Sequence, residues 1–289
     1  MLKALIKAMR PRQWTKNGFV FFALIFDKQL FLLEPFLRTL EGFFLFCLIS
    51  SAVYLLNDIS DIEADRQHPE KKHRPLASGE LSIGVAQGAA FILALTSVSL
   101  GYLLEPVFAG MIALYFIINQ LYSRWLKHVP ILDVLIISSG FVLRVAAGVA
   151  LITVERFSPW LYMLTILFSL YIALGKRRAE MDLLAQEASA HRKVLDGYTI
   201  PLLDQYITIV SGMTIVAYSL YTFSAPNLPE NHSMMLTIPF VVYGIFRYLQ
   251  LIQTGHAAGA PDEVALKDRP LQFTVLLWGL AVIAVFYLS

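Results

Sequence analysis

The segment Asn57-Asp58-Ile59-Ser60-Asp61-Ile62-Glu63-Ala64-Asp65 holds three aspartates at a spacing that could do chemistry. On a helix, at about 100° per residue, Asp58, Asp61 and Asp65 fall within about 60° of one another. Such a stripe suits a hard cation. Mg²⁺ takes oxygen ligands, keeps several waters, and is typically held by one or two carboxylates plus substrate phosphates. Lys71-Lys72-His73-Arg74-Pro75-Leu76-Ala77-Ser78-Gly79 follows, and its Lys72 and Arg74 could meet anionic groups that the metal leaves uncovered. The combination predicts a diphosphate site, with Asp58, Asp61 and Asp65 as metal ligands and Asn57 beside them. A single aspartate here would read as solvated or paired with a nearby Lys or Arg. Three with a basic run favour function. Glu63 points about 140° from Asp58 on the same wheel, as an outer or salt-bridging residue would.

Two more basic clusters carry the same kind of chemistry. Gly175-Lys176-Arg177-Arg178-Ala179-Glu180 follows a later apolar run. Arg offers phosphate a planar fork and Lys a point charge. The structural alternative is a surface ion pair between Lys176 and Glu180, at i and i+4. In Arg10-Pro11-Arg12-Gln13-Trp14-Thr15-Lys16-Asn17, Lys16 and Asn17 lie where an apolar run begins. They could reach a substrate between helices, or the cluster could simply anchor at the interface through Trp14. Arg144 and Arg247 lie within apolar runs. Intramembrane charges are costly and usually face a cavity or partner. Both are candidates for holding an anion, with a structural ion pair as the alternative. The histidines show no zinc spacing.

The elements that position these residues are membrane helices. The chain has 289 residues, 57% hydrophobic and only 15% charged, where a soluble domain carries about 25% charged. Nine apolar spans are expected at about 15–27, 36–56, 83–104, 107–123, 130–152, 159–175, 202–222, 236–254 and 271–288. This is an all-α polytopic membrane protein with one bundle over 1–289. With the N-terminus in the cytoplasm, one side collects Lys3, Lys7, Arg10, Arg12, Lys16, Arg66, Lys71, Lys72, Arg74, Arg124, Lys127, Lys176, Arg177, Arg178, Arg192, Lys193, Lys267 and Arg269. The other holds Lys28, Arg38 and Arg156. The positive-inside rule therefore sets the orientation, and nine spans put the C-terminus outside. Residues 1–14 form a basic amphipathic interfacial helix, with Leu2, Leu5, Ile6 and Met9 on the apolar face. The loops 57–82, 176–201 and 255–270 are long and cytoplasmic, as functional connections often are. Cys47 stands alone, which excludes an intramolecular disulfide and a Cys-ligated metal cluster.

Asn57-Asp58-x-x-Asp61-x-x-x-Asp65 followed by Lys72-x-Arg74-Pro75-Leu76-x-Ser78-Gly79 resembles the first aspartate-rich motif of the UbiA-type intramembrane prenyltransferases. That resemblance implies nine transmembrane helices around a central lipid-open cavity, with 57–82 and 176–201 as cytoplasmic caps. Most of that superfamily has a second Asp-rich motif where this chain has Gly175-Lys176-Arg177-Arg178-Ala179-Glu180. In this it resembles the decaprenyl-phosphate phosphoribosyltransferase branch. So do Arg10-Pro11-Arg12-Gln13-Trp14-x-Lys16-Asn17, Leu195-x-x-Tyr198-Thr199, Arg247-Tyr248 and Pro261-Asp262-Glu263-x-x-Leu266-x-Asp268-Arg269.

The branch implies transfer of 5-phosphoribose from phosphoribosyl diphosphate to a polyprenyl phosphate in a bacterial inner membrane, for arabinofuranose donors of the cell envelope. Lys16, Asn17, Asn57, Lys72, Arg74, Arg144, Lys176, Arg177, Glu180, Tyr198 and Arg247 are then expected to line the substrate, with Mg²⁺ as cofactor. Membrane lipids are expected partners and nucleic acid is not. A homo-oligomer is left open. One competing reading moves a polyprenyl chain from its diphosphate to an aromatic acceptor, and would want a second acidic metal site. Another is a secondary transporter for an anionic metabolite, which suits intramembrane arginines but needs no Mg²⁺ stripe.

Overall fold

The structure is a computed structural model describing residues 1–68, 71–154, 159–186, 195, 197–225, 228–254 and 267–288. Among them it is all-helical, and eight helical segments are long and apolar enough to cross a membrane. The chain is a multi-pass membrane protein. Two compact units are resolved. One comprises Met1–Lys127 with Gly140–Val154, the other His128–Ser139 with Glu155–Ser289.

The first unit begins with α1 (Leu2–Ala8), a 3₁₀ helix (Pro11–Phe21) and α2 (Phe22–Phe26). It continues through α3 (Leu33–Ser60), α4 (Ile62–Gln67), α5 (Ile83–Leu104) and α6 (Pro106–Arg124). It closes with the later part of α7 (Leu132–Leu151). The expected span at 15–27 is not a long α-helix. Its sixteen residues from Pro11 to Phe26 run first as 3₁₀ and then as α. At about 2.0 Å per 3₁₀ residue and about 1.5 Å per α residue they still reach roughly 30 Å, about the thickness of a hydrocarbon core.

Helix α3 is the centre of this unit: 61% of its apolar window is buried, against 17% for α5. Phe46, Ile49 and Val53 on α3 pack with Phe108, Ile112 and Tyr115 of α6 and Leu143 and Ala147 of α7. Gly148 lets α7 meet the Val20 carbonyl, where any Cβ would collide. A tight α5–α6 corner forms because Glu105 accepts the Val107 N–H while Pro106 opens α6. At the same end, Arg38 donates to the last carbonyls of two helices, Leu104 and Leu151, each at 3.0 Å.

The amphipathic start is shorter than the expected 1–14 and sits differently. Helix α1 buries Ala4 and Ala8 against Ala52, Leu55, Leu76 and Leu81. Leu2 and Ile6 stay exposed. Its small residues therefore face protein, and only part of the apolar face is left for lipid.

The second unit holds the start of α7, α8 (Pro159–Gln186), α9 (Ile200–Ser224), a short 3₁₀ turn (Ser233–Thr237), α10 (Ile238–Gln253) and α11 (Arg269–Leu288). Tyr171 and Leu174 of α8, Leu203 and Ile207 of α9, and Ile245, Tyr248 and Ile252 of α10 form its core. Thr199 caps α9 by accepting the Leu202 N–H at 3.2 Å.

Candidate active site

Helix α3 runs past the expected end at 56 and carries Asn57 and Asp58 in its last turn. It breaks at Asp61 (φ −103°, ψ 10°), and α4 restarts at Ile62. The three aspartates therefore do not share one continuous stripe, which corrects the sequence expectation. Asp58 and Asp65 are both buried, at 2% and 3% exposure. Asp61, further out, pairs with Lys127 at 2.8 Å. Among the described residues no three acidic, His or Cys side chains converge on one point.

What joins Asp58 and Asp65 is Arg74. Its Nη1 donates to Asp65 Oδ2 at 2.7 Å and to Asp58 Oδ1 at 3.2 Å. Arg10 adds a second ion pair to Asp58 Oδ1, and its guanidinium lies 5.0 Å from the Tyr54 ring centroid. Buried carboxylates are costly unless paired, and this chain supplies the partners itself. The Arg74-Pro75-Leu76-Ala77-Ser78-Gly79 run makes Arg74's aim possible. Ser78 N–H donates to Arg74 O and Leu81 N–H to Pro75 O. Gly79 takes φ +81°, a conformation costly for other residues. Leu76 and Leu81 are buried, which anchors the turn and points Arg74 back at the acids.

Asn57 Oδ1 is buried and accepts no hydrogen bond. Lys72 is exposed. Glu63 is 81% exposed and pairs with Arg66 at 2.8 Å, as its place on the wheel predicts.

Two expected anion holders are instead tied into the fold. Arg144 Nε donates to Asn17 Oδ1 at 2.8 Å, Nη1 to Gly140 O at 2.7 Å and Nη2 to the Tyr115 hydroxyl at 3.0 Å. Its guanidinium lies 4.8 to 5.4 Å from the Tyr115, Phe46 and Phe141 ring centroids. Asn17 Nδ2 donates onward to Ser50 Oγ at 3.1 Å and to Cys47 Sγ at 3.3 Å. Every polar atom of the Asn17 amide is used within the protein. Among the described residues, aromatic faces and neutral acceptors rather than a carboxylate satisfy Arg144. Nearby, Trp14 Nε1 donates to Ser51 Oγ at 3.1 Å, so the 3₁₀ helix is pinned to α3. Lys16 is half-buried on that segment.

In the second unit, α8 continues eleven residues beyond the expected end at 175, so Lys176, Arg177 and Glu180 are helical. Arg177, expected to reach substrate, is 1% exposed. Its Nε meets Asp133 Oδ2 at 2.5 Å, and its Nη1 meets Glu180 Oε2 at 2.5 Å. Glu180 thus pairs with Arg177 at i+3. Lys176 is half-buried beside them. Tyr198 donates to Asp133 Oδ1 at 2.7 Å. Burial, reinforced by the Asp133 hydrogen bond, holds its hydroxyl protonated far above the ordinary phenol range. Arg178 pairs with Asp182 and, at 3.1 Å, with Asp204.

Arg247 makes a two-point pair with Asp268, 3.2 Å and 2.7 Å. Asp268 also accepts the Leu271 N–H, capping α11. Arg247 is therefore committed to an ion pair, the structural alternative. Residues 187–194 of the expected second cap, including Arg192 and Lys193, lie outside the described residues, as do Arg156 and the Pro261–Leu266 part of the motif quoted from the sequence. Sequence reasoning missed Asp133. The signal was available: a carboxylate inside an expected span, which the rule applied to Arg144 and Arg247 should have flagged.

Residues 19–265 match the UbiA prenyltransferase family. This chain belongs to the UbiA prenyltransferase family. Within it, the chain is 35% identical to the decaprenyl-phosphate phosphoribosyltransferase of Corynebacterium glutamicum, over 98% of this chain and 87% of that protein. It is 34% identical to the protein of the same name from Mycolicibacterium smegmatis, over 100% and 94%. A UbiA homolog from Archaeoglobus fulgidus, solved with GPP and Mg²⁺, superposes with a TM-score of 0.73 at 16% identity, over 98% of this chain and 99% of that one. That likeness establishes the UbiA fold.

Proposed function

We propose that this UbiA-family protein transfers 5-phosphoribose from 5-phosphoribosyl 1-diphosphate to a polyprenyl phosphate of the decaprenyl type. The observation that carries this reading is similarity at 34–35% identity, over nearly the full length of the chain, to proteins named for that activity. A lipid phosphate oxygen attacks the ribose anomeric carbon. The bond from that carbon to the diphosphate breaks, and diphosphate leaves with the electron pair. A phosphate monoester is already anionic near neutral pH, so no strong general base is required.

The donor chemistry of the first motif suits Mg²⁺, and binding would require Arg74 to release Asp58 and Asp65, and Lys127 to release Asp61. Its donors are hard oxygens from Asp58, Asp61, Asp65 and Asn57, and the buried Asn57 Oδ1 without a donor is the kind of acceptor a cation or its water would satisfy. When bound, Mg²⁺ would supply charge neutralisation for the leaving diphosphate. Arg10 and Arg74 neutralise Asp58 and Asp65 within this chain, and their guanidiniums are suited to turn toward phosphate oxygens. Lys72, exposed on the same loop, and Lys16 would assist. In the second cap, Lys176 would meet the donor's 5-phosphate or the lipid phosphate, with Arg177, Glu180 and Tyr198 behind it.

The excess of Lys and Arg on one side supports an orientation with the N-terminus and both caps in the cytoplasm and the C-terminus outside, and the bacterial relatives support an inner-membrane location. The product would then serve synthesis of envelope sugar donors. Membranes containing the protein, given phosphoribosyl diphosphate, polyprenyl phosphate and Mg²⁺, should form a lipid-linked phosphoribose and release diphosphate. Absence of that product, with prenylation of an aromatic acceptor from polyprenyl diphosphate instead, would replace this reading.

A further inference from the structure

Asp133 is a buried carboxylate outside the first motif. It sits in the first turn of α7 and is wholly enclosed. Oδ2 accepts Arg177 Nε at 2.5 Å, and Oδ1 accepts the Tyr198 hydroxyl at 2.7 Å. The same hydroxyl accepts the Ile131 N–H at 2.6 Å. Ile131 has φ +70°, where a β-branched residue is a true outlier. Next to it, Pro130 presses on Gly197 so closely that a Cβ there would collide. Residues 130–133 and 197–198 are thus interlocked by one carboxylate, one hydroxyl and a strained turn. Strain of this kind persists only where the surroundings over-determine it, and it concentrates at functional sites.

Simple cohesion does not require such a device. Well-packed apolar side chains of similar volume often do as well as a buried ion pair. A carboxylate shared between a planar guanidinium and a hydroxyl instead fixes direction. Here it fixes the α8 turn carrying Lys176 and Arg177 against the residue preceding the Thr199 cap of α9.

We propose that Asp133 is a positioning residue for the second cap: by holding Arg177 and Tyr198 in fixed relation, it sets where the adjoining Lys176 ammonium meets the phosphate of the sugar donor. This rests on the reading that the second cap receives that phosphate. Asp133 itself touches no substrate.

The test uses the full-length protein in lipid nanodiscs with Mg²⁺, and measures KM for each substrate, kcat and thermal unfolding. Asp133→Asn should raise the donor KM by about tenfold or more while the polyprenyl phosphate KM stays within about twofold. Tyr198→Phe should move the donor KM the same way, by about threefold. Asp133→Asn combined with Arg177→Gln removes both buried charges. It should recover thermal stability without recovering the donor KM. An unchanged donor KM in Asp133→Asn, equal rises in both KM values, or recovery of the donor KM in the double variant would overturn the proposal. Should Asp133→Asn fail to fold, an unchanged donor KM in Tyr198→Phe overturns it. Lys176→Met separates the two levels. A normal donor KM there refutes the phosphate role of the cap. A raised one, with normal Asp133→Asn, refutes only the role of Asp133.

Discussion

Arg74 holds Asp58 and Asp65 with a single nitrogen, 3.2 Å from one carboxylate and 2.7 Å from the other. The guanidinium occupies the place between two buried acids where an external cation would otherwise be wanted. A metal bound at the proposed site would compete with this arginine for the same oxygens.

That competition predicts a metal-dependence signature. Asp58→Asn and Asp65→Asn should each lower kcat/KM by about a hundredfold or more, the scale of losing a major electrostatic contribution. Glu63→Gln, altering only an exposed pair, should stay within about twofold, since such pairs contribute about 0–1 kcal/mol. Transfer assays across a Mg²⁺ titration check this. Equal losses at Glu63 and Asp58 in folded protein would rule out the assignment.

Arg144 is expected to matter for stability rather than for donor affinity. Arg144→Met strands Asn17 Oδ1, a buried acceptor whose loss of a donor costs about 1–3 kcal/mol. Thermal unfolding in detergent should fall clearly, while the donor KM of the surviving protein stays near normal. A selective rise in donor KM without destabilisation would return Arg144 to the substrate site.

Gly148→Ala puts a methyl group against the Val20 carbonyl. Overpacking of this kind costs about 1–3 kcal/mol. Gly244→Ala, where the nearest atoms stand 3.8 Å away, serves as the control. Comparable unfolding temperatures for the two variants would contradict the close approach.

The Arg247–Asp268 pair carries a pH signature. The hydrogen bond from Arg247 holds the Asp268 carboxyl below its usual range. A carboxylate with a depressed folded value contributes stability above its unfolded pKa, about 3.9, and loses it as pH falls through the folded value. Wild type and Arg247→Gln should therefore differ in unfolding temperature at pH 6 and converge as pH falls below the depressed Asp268 value. Parallel curves over that interval would show that the pair contributes nothing measurable.

Hydropathy made the long spans legible: α5, α6, α7, α9 and α11 each begin and end within about two residues of the expected edges, where composition changes abruptly. Apolar content marks the segment at 15–27 as membrane-crossing but does not distinguish a 3₁₀ winding from an α one. The break at Asp61 has no Gly or Pro to announce it, so a continuous wheel was the natural inference and the wrong one. Arg144 was recognised as an expensive intramembrane charge. Its solution, an aromatic enclosure with Asn17 from far along the chain, is a tertiary fact with no local signature. Lys127 on Asp61 and Asp133 beneath Arg177 were likewise hidden by sequence separation.

The winding of Pro11–Phe21 leaves a mark on how this protein can vary. A 3₁₀ helix turns once every three residues, so side chains three apart stand in register. Trp14, Asn17 and Val20 are such a series: Trp14 donates to Ser51, Asn17 to Ser50 and Cys47, and Val20 lies under Gly148. Saturation mutagenesis of residues 11–21 should therefore give sensitivity peaks with a period of three, where an α-helix would give 3.6. Inserting one residue between Trp14 and Asn17 would put the next two anchors out of phase at once, a lesion far more severe than any substitution at the exposed Arg12 or Thr15.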